Sequence, residues 1–146
     1  MYALAAGIKI TANLVVADSS DAVTVCQARP PVLFCSHQLP RSRQPLRSSA
    51  AGRALLAYSA ADSGLRTDLD LVRRKGFALD EFEDEDPIRA IAVPVFSPGR
   101  QVWGALSVQA RSARLNDELI REILPAMRQI AVRIGAVVQN RSGTMP

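Results

Sequence analysis

Side chains that do chemistry are scarce in this sequence. Its 146 residues hold one histidine, His37, and two cysteines, Cys26 and Cys35. Two thiols are no disulfide framework, and a zinc site needs more ligands at recognised spacing. Cys35 and His37 would share one face of an extended segment, with the single imidazole as the only base for a nucleophilic thiol. Neither constellation is complete. Phosphate-loop lysine motifs, dinucleotide fingerprints and serine nucleophile elbows are missing as well. The chain therefore reads as a non-enzyme without metal or cofactor. Its cysteines read as small core residues, and His37 as a surface or rim residue.

Long hydrophobic runs are also missing. No apolar stretch approaches the roughly 20 residues that span a bilayer. The first sixteen residues, MYALAAGIKITANLVV, lack the basic start and small-residue cleavage site of a secretory signal. A cytoplasmic protein with reduced thiols and no membrane partner is expected. Lysine is rare, at 2 against 16 arginines, and the net charge of +4 raises the question of nucleic acid. The arginines are spread from Arg29 to Arg141. Their one dense cluster, Arg41, Arg43, Arg47 and Arg53, lies in no helix-turn-helix pattern and has no aromatic stacking residues around it. Direct DNA contact is not expected of this chain.

What is present suits one core: 48% hydrophobic and 22% charged residues in a chain of ordinary domain size. Residues 8–17 and 22–28 read as a β-hairpin around the turn-forming Asp18, Ser19, Ser20 and Asp21. A third apolar run, residues 32–35, precedes a polar loop over residues 36–45. Ser48 or Ser49 then caps an alanine-rich helix to about Tyr58, and Ser63 or Gly64 starts another that ends at Lys75. Strands are predicted over residues 77–82, 88–96 and 101–110. Pro98 and Gly99 predict a type II turn between the last two. Asn116 caps a final helix with an apolar stripe of Leu119, Ile123, Met127, Ile130, Ile134 and Val137, and Pro125 inside it predicts a kink or break. This order argues for an α+β fold, a sheet of about six strands flanked by helices.

Residues 76–92, GFALDEFEDEDPIRAIA, combine a helix-ending glycine, carboxylates and a small-residue strand entry. Gly76, Asp80, Glu83, Ala90, Ile91, Ala92, Val95 and Phe96 resemble the signature of the IclR family of bacterial transcription regulators. Ser97 stands where that pattern has Asp or Asn, and Pro87 where many members have a turn glycine. Residues 45–57, PLRSSAAGRALLA, look like the family's second recurring stretch, with Arg53 where lysine is common. The resemblance implies a GAF-like antiparallel sheet and an effector-binding domain over residues 1–140, with residues 141–146 a disordered tail. It also implies a winged helix-turn-helix DNA-binding domain that would precede this chain and is absent from it. DNA would then be reached only through that missing domain, and the sensing domains would associate as a homodimer or homotetramer.

Candidate ligand contacts follow from two arguments. Ser48, Ser49, Ala50, Ala51 and Gly52 form a helix start, where free amides and the macrodipole favour an anion. Ordinary capping explains the same residues. Alternation places Trp103, Ala105, Ser107 and Gln109 on a mixed strand face that is either solvated or the wall of a polar cavity. The family resemblance implies a pocket for a small organic or aromatic acid, with Asp80, Ile88, Ala90, Ser107 and Gln109 facing Ser48, Ser49, Ala50 and Ala51. Many members carry serine at the position of Gln109 and some carry cysteine at that of Ala90, so no relative's effector is carried over. Asp80 could bind a ligand hydroxyl, accept from backbone amides or hold a proton. Glu83 is read as structural, paired with a residue such as Arg89 or accepting loop amides. The acidic residues 83–86 lack calcium-loop spacing. The rival reading is a GAF-like domain whose pocket is vestigial and which acts only in oligomerisation.

Overall fold

Strand formation follows the β-branched and alternating segments, and the six strands pair into one antiparallel sheet. The structure is a computed structural model that describes residues 1–8, 10–28, 43–58, 66–82 and 87–143. Strands β1 (Ala12–Asp18), β2 (Asp21–Ala28), β3 (Arg43–Pro45), β4 (Ala78–Phe82), β5 (Ile88–Phe96) and β6 (Val102–Arg111) lie in the order β3-β2-β1-β6-β5-β4. β1 and β2 form the expected hairpin, and β1 meets β6 at the centre of the sheet, with Asn13 opposite Ser107. That contact joins the first and last strands into one surface.

Helices α1 (Tyr2–Ile8), α2 (Ala50–Ala57), α3 (Arg66–Lys75) and α4 (Asp117–Gly143) cover the two faces. On one face, α1 and α4 pack their apolar residues on Leu14, Ile91, Val93, Leu106 and Val108. On the other, α2 and α3 pack Ala54, Leu55, Leu69 and Val72 against Val15, Ala22, Ala92 and Ala105. The second layer is built mostly of alanine. It brings α2 close to the sheet, which matters for the cavity below. Gly76 closes α3 at φ 79°, its amide on the Val72 carbonyl at 2.7 Å, and the last turn carries Arg73, Arg74 and Lys75.

Several expectations need correction. The first strand starts at Ala12, because the chain up to Ile8 forms α1, whose Leu4 and Ala5 are buried. Alanine and leucine are strong helix formers, and that preference prevails there. The polar loop ends earlier than expected, since residues 43–45 pair with β2 as an edge strand. The run 32–35 and the helix start at Ser63 or Gly64 lie outside the described residues. In the β5–β6 turn the positive φ falls on Arg100 (62°) and not on Gly99, which excludes type II. The Arg100 amide bonds to the Ser97 carbonyl at 2.9 Å, as in a three-residue hairpin loop that ends on a left-handed residue.

The register shifts beside Phe96, where Val95 pairs with Gly104 and Phe96 with Val102. Trp103 is the extra residue of this bulge and turns to the α4 side, away from the face of Ala105 and Ser107. In α4, Asn116 accepts from the Leu119 amide at 2.9 Å, as a cap should. The helix continues through Pro125 without a break and runs on to Gly143. Pro125 is exposed, so the carbonyl freed one turn earlier can turn to water. The buried line of α4 is Ile120, Ile123, Met127 and Ala131, while Val137 is 56% exposed and Leu119, Ile130 and Ile134 are half-buried. Among the described residues no helix is long and apolar enough to cross a membrane.

Candidate functional site

The start of α2 sets one wall of the candidate site. Ser49 is the cap: its backbone is extended, its Oγ accepts from the Gly52 amide at 2.9 Å, and its carbonyl accepts from Arg53 at 2.9 Å. Ser48 sits one step earlier, in the 3-10 turn Leu46–Ser48, and its hydroxyl donates to the Pro45 carbonyl at 3.1 Å. The two serines thus have different duties. The Ala50 and Ala51 amides lie in the first turn and have no intrahelical acceptor. Gly52 lets the helix press on the preceding turn, since a Cβ there would lie 2.0 Å from the Leu46 carbonyl oxygen.

Between this helix start and the sheet lies a cavity of about 390 Å³, within the range of small-molecule pockets. Ser48, Ser49, Ala50 and Ala51 line its helix side. Ile88 and Ala90 of β5 and Ser107 and Gln109 of β6 line its sheet side. Of the residues that the family resemblance places in a pocket, all but Asp80 therefore border one space, while Gly52, Trp103 and Ala105 do not line it. Five more residues complete the wall: Asn13 and Val15 of β1, Ala22 and Thr24 of β2, and Gln44 of β3. Alternation within the hairpin could have grouped the first four, but the β1–β6 pairing that brings them to this cavity leaves no local mark in the sequence.

Two buried polar side chains face one another in register on this wall. Ser107 is 7% exposed, and no described residue gives its hydroxyl a hydrogen bond. Asn13 is also 7% exposed, and its Oδ1 accepts from Gln27 Nε2 at 2.9 Å. Gln109, opposite Ala90 on the neighbouring strand, is half-buried.

Asp80 is the exception. It does not line the cavity; its carboxylate forms an ion pair with Arg53 of α2, both side chains being 14% exposed. The same guanidinium donates to the Leu79 carbonyl at 2.6 Å. One residue of α2 thereby holds the edge strand β4 by both backbone and side chain. Asp80 Oδ2 is buried without a hydrogen bond among the described residues. A motif carboxylate expected in the pocket thus serves to dock the helix that forms the pocket's wall.

Glu83 lies outside the described residues, and so do Cys35 and His37. Arg89, considered as the Glu83 partner, pairs with Asp117 at 2.7 Å and Glu81 at 3.1 Å, and donates to the Leu115 carbonyl at 3.1 Å. It ties β5 to the start of α4. Cys26 is a free, half-buried thiol packed at the edge of the α4-side core. Among the described residues no three His, Cys, Asp or Glu side chains gather as a metal site.

Comparison with known proteins accords with this geometry. Residues 60–136 match the family model for the C-terminal part of the bacterial transcriptional regulator IclR. The HTH-type transcriptional regulator KdgR of Escherichia coli is 30% identical over 116 residues, which cover 64% of this chain and 44% of that protein. The chain spans about half the length of the curated relatives it matches. The crystal structure of the C-terminal domain of E. coli KdgR matches with a TM-score of 0.76 at 25% identity, covering 92% of this chain and 91% of that one. The inducer-binding domain of the PobR transcription factor from Acinetobacter, a double mutant in complex with 3-hydroxybenzoic acid, matches with a TM-score of 0.73 at 22% identity. That match covers 94% of this chain and 98% of the other, and at such identity the likeness is one of fold.

Proposed function

Because the chain belongs to the IclR family of bacterial transcription regulators, as a C-terminal regulatory domain, we propose that it senses a small organic acid in the cavity beneath α2. The observation that carries this reading is the convergence of two things on one space: the free first-turn amides of α2 and the side chain of Ser107, a residue 7% exposed whose hydroxyl no described residue hydrogen-bonds. Free amides at a helix start favour an anion, and a hydroxyl on the cavity wall can donate to it. The PobR domain with its bound hydroxybenzoic acid supplies a precedent for an acid in this fold.

The acid acts by linkage. It shifts an equilibrium between arrangements of the sensing domains only by binding one arrangement more tightly, and a DNA-binding domain elsewhere in the whole protein reports the shift. Self-association of this domain into a homodimer or homotetramer belongs to the same proposal. A second reading, self-association alone, draws on the flank of α4, where Val137 is exposed beside a groove lined by Trp103, Ile130 and Ile134.

A thermal-shift screen against keto, hydroxy and aromatic acids separates the two. Sensing predicts a saturable rise with one class of acid, about 2.7 kcal/mol at 100 times the dissociation constant. That rise should vanish in Ala51→Glu, whose own carboxylate would enter the cavity at the second helix position. No stabilisation by any acid, in a protein that still self-associates by mass measurement, would favour the second reading. A rise retained in the folded Ala51→Glu variant would move the site elsewhere.

A further inference from the structure

One flank of α4 carries an apolar groove with charge of a single sign. It runs along the second half of β5, has a volume of about 500 Å³, and is lined by Tyr58, Phe96, Val132 and Ala136 with Arg100 and Arg128 beside them. The Tyr58 and Phe96 rings meet edge to face, their centroids 5.0 Å apart. Phe96 is 37% exposed and Val132 73%, so two of the five large apolar side chains left open among the described residues meet here. Arg128 donates to the Lys75 carbonyl at 3.0 Å, and neither arginine forms an ion pair with a described residue. No described carboxylate lines the groove. Exposed apolar side chains grouped with Tyr, Phe and Arg have the composition of a protein interface, and two guanidinium groups without a counter-charge are matched by a partner that brings carboxylates.

The chain itself holds such a segment. Five of its 14 Asp and Glu residues fall in residues 81–86, EFEDED, where β4 turns into β5, and the exposed Pro87 follows them. This segment cannot reach the groove of its own copy. It enters β5 at Ile88, whereas the groove runs from Val93 to Phe96, which places the two about 16–26 Å apart along the extended strand. Phe82 and Ile88 pair with each other, so the link between them, six steps of about 3.8 Å, reaches at most about 11 Å from the strand ends. A second copy has no such restriction. Two copies with antiparallel β5 strands set each acidic segment against the other's groove, and a single twofold axis then makes the contact twice and closes the pair.

Resting on the self-association proposed above, we propose that the groove between α4 and β5 is filled by a second copy of this chain through its acidic segment, residues 83–86, with carboxylates on Arg100 and Arg128 and Pro87 over Phe96 and Val132. The charge pairs choose the orientation, and the apolar lining supplies the buried area. This surface lies on a different flank of α4 from the groove of Trp103 and Val137.

The test is sedimentation equilibrium of this chain and its variants at about 0.1 and about 1 M salt. The parent should form a dimer whose dissociation constant rises at least about tenfold between the two, as the screening length falls from about 10 to about 3 Å. Arg100→Glu with Arg128→Glu, and separately Asp84→Lys with Glu85→Lys, should each weaken the dimer at least about tenfold. An equimolar mixture of the two double variants should restore it, because the basic segment of one then meets the acidic groove of the other while the two unaltered surfaces still match. Arg100→Glu with Val132→Asp, both at exposed positions, serves in place of the first variant if Arg128→Glu, which gives up the Lys75 contact, does not fold. Loss in both variants without recovery in the mixture would overturn the pairing. A dimer indifferent to groove and segment variants alike would also overturn it and leave self-association through another surface in place. A parent that stays monomeric at every concentration would remove the assignment and the self-association reading together.

Discussion

Replacing Gly52 by alanine sets two physical effects against each other at one position. Gly52 lies inside α2 and is not among the residues with positive φ, so an alanine could adopt its backbone conformation. By propensity alone the change should stabilise the helix by about 1 kcal/mol. Packing opposes it. The new Cβ would lie 2.0 Å from the Leu46 carbonyl oxygen and 2.6 Å from the Leu46 carbonyl carbon and Cα, all backbone atoms that no rotamer change can move aside. Reaching ordinary contact requires α2 and the 3-10 turn to separate by more than ~1 Å, and overpacking of this kind costs about 1–3 kcal/mol, here towards the upper end. The net expectation is a loss of about 1–2 kcal/mol. At roughly 2–4 °C per kcal/mol for a chain of this size, the melting temperature should fall by about 2–8 °C in a circular-dichroism melt. Gly7→Ala is the internal control. It makes the same change in α1, where an added Cβ meets nothing within 4 Å, and the melting temperature should hold or rise. A Gly52→Ala protein more stable than the parent would refute the packing argument. Because the same movement displaces Ser48, Ser49, Ala50 and Ala51, ligand affinity should drop along with stability.

Three further outcomes can be measured by urea unfolding. Ser49→Ala removes the side-chain acceptor of the Gly52 amide and should cost about 1 kcal/mol, whereas Ser48→Ala should cost less, its hydroxyl bonding only to an exposed turn carbonyl. Asp80→Leu removes one partner of the Arg53–Asp80 ion pair, whose side chains are both 14% exposed, and should cost about 2 kcal/mol, the scale of a hydrogen bond to a charged group. Adding Arg53→Met to it should recover part of that loss; strict additivity of the two changes would show that the pair is not coupled. Gly135→Ala would put a Cβ 2.0 Å from the Phe96 carbonyl oxygen and should cost about 1–3 kcal/mol by forcing α4 off the end of β5; an unchanged unfolding midpoint would show that the helix can yield there freely.

The features that could be read from the sequence are those written in local chemistry. The serine cap of α2, narrowed to Ser48 or Ser49, the Gly76 stop, the β5 boundaries and the Asn116 cap all rest on residues within a few positions of the feature they fix. The features that could not be read depend on register. Strict alternation groups Trp103 with Ser107, and one bulged residue beside Phe96 reverses its face. Period-two reasoning holds only between bulges, and nothing in the run Val102–Arg111 marks where the extra residue falls. The stripe of α4 drifted for a related reason. Spacings of three and four picked Leu119, Ile130 and Val137, while packing buried Ile120 and Ala131, because the true line depends on where β5 and β6 lie beneath the helix.

Asp80 shows how site and scaffold are coupled in this fold. The family resemblance implies a ligand contact for Asp80; what the residues around it do not reveal is its partner Arg53, on a helix 27 positions earlier. With that partner, the two recurring stretches of the sequence become one mechanical unit. Residues 45–57 supply the helix whose first turn meets the cavity, and residues 76–92 supply the strand edge to which that helix is fastened. A ligand carboxylate drawn to the amides of Ala50 and Ala51 would pull on a helix anchored one turn later to β4. Any movement it causes would therefore be shared between the cavity wall and the edge of the sheet. The coupling has a measurable consequence: in Arg53→Met, acid binding should weaken although residue 53 does not line the cavity, and the amides of β4 should exchange with deuterium faster. Unchanged affinity together with unchanged exchange would mean that α2 is held in place by its alanine packing alone.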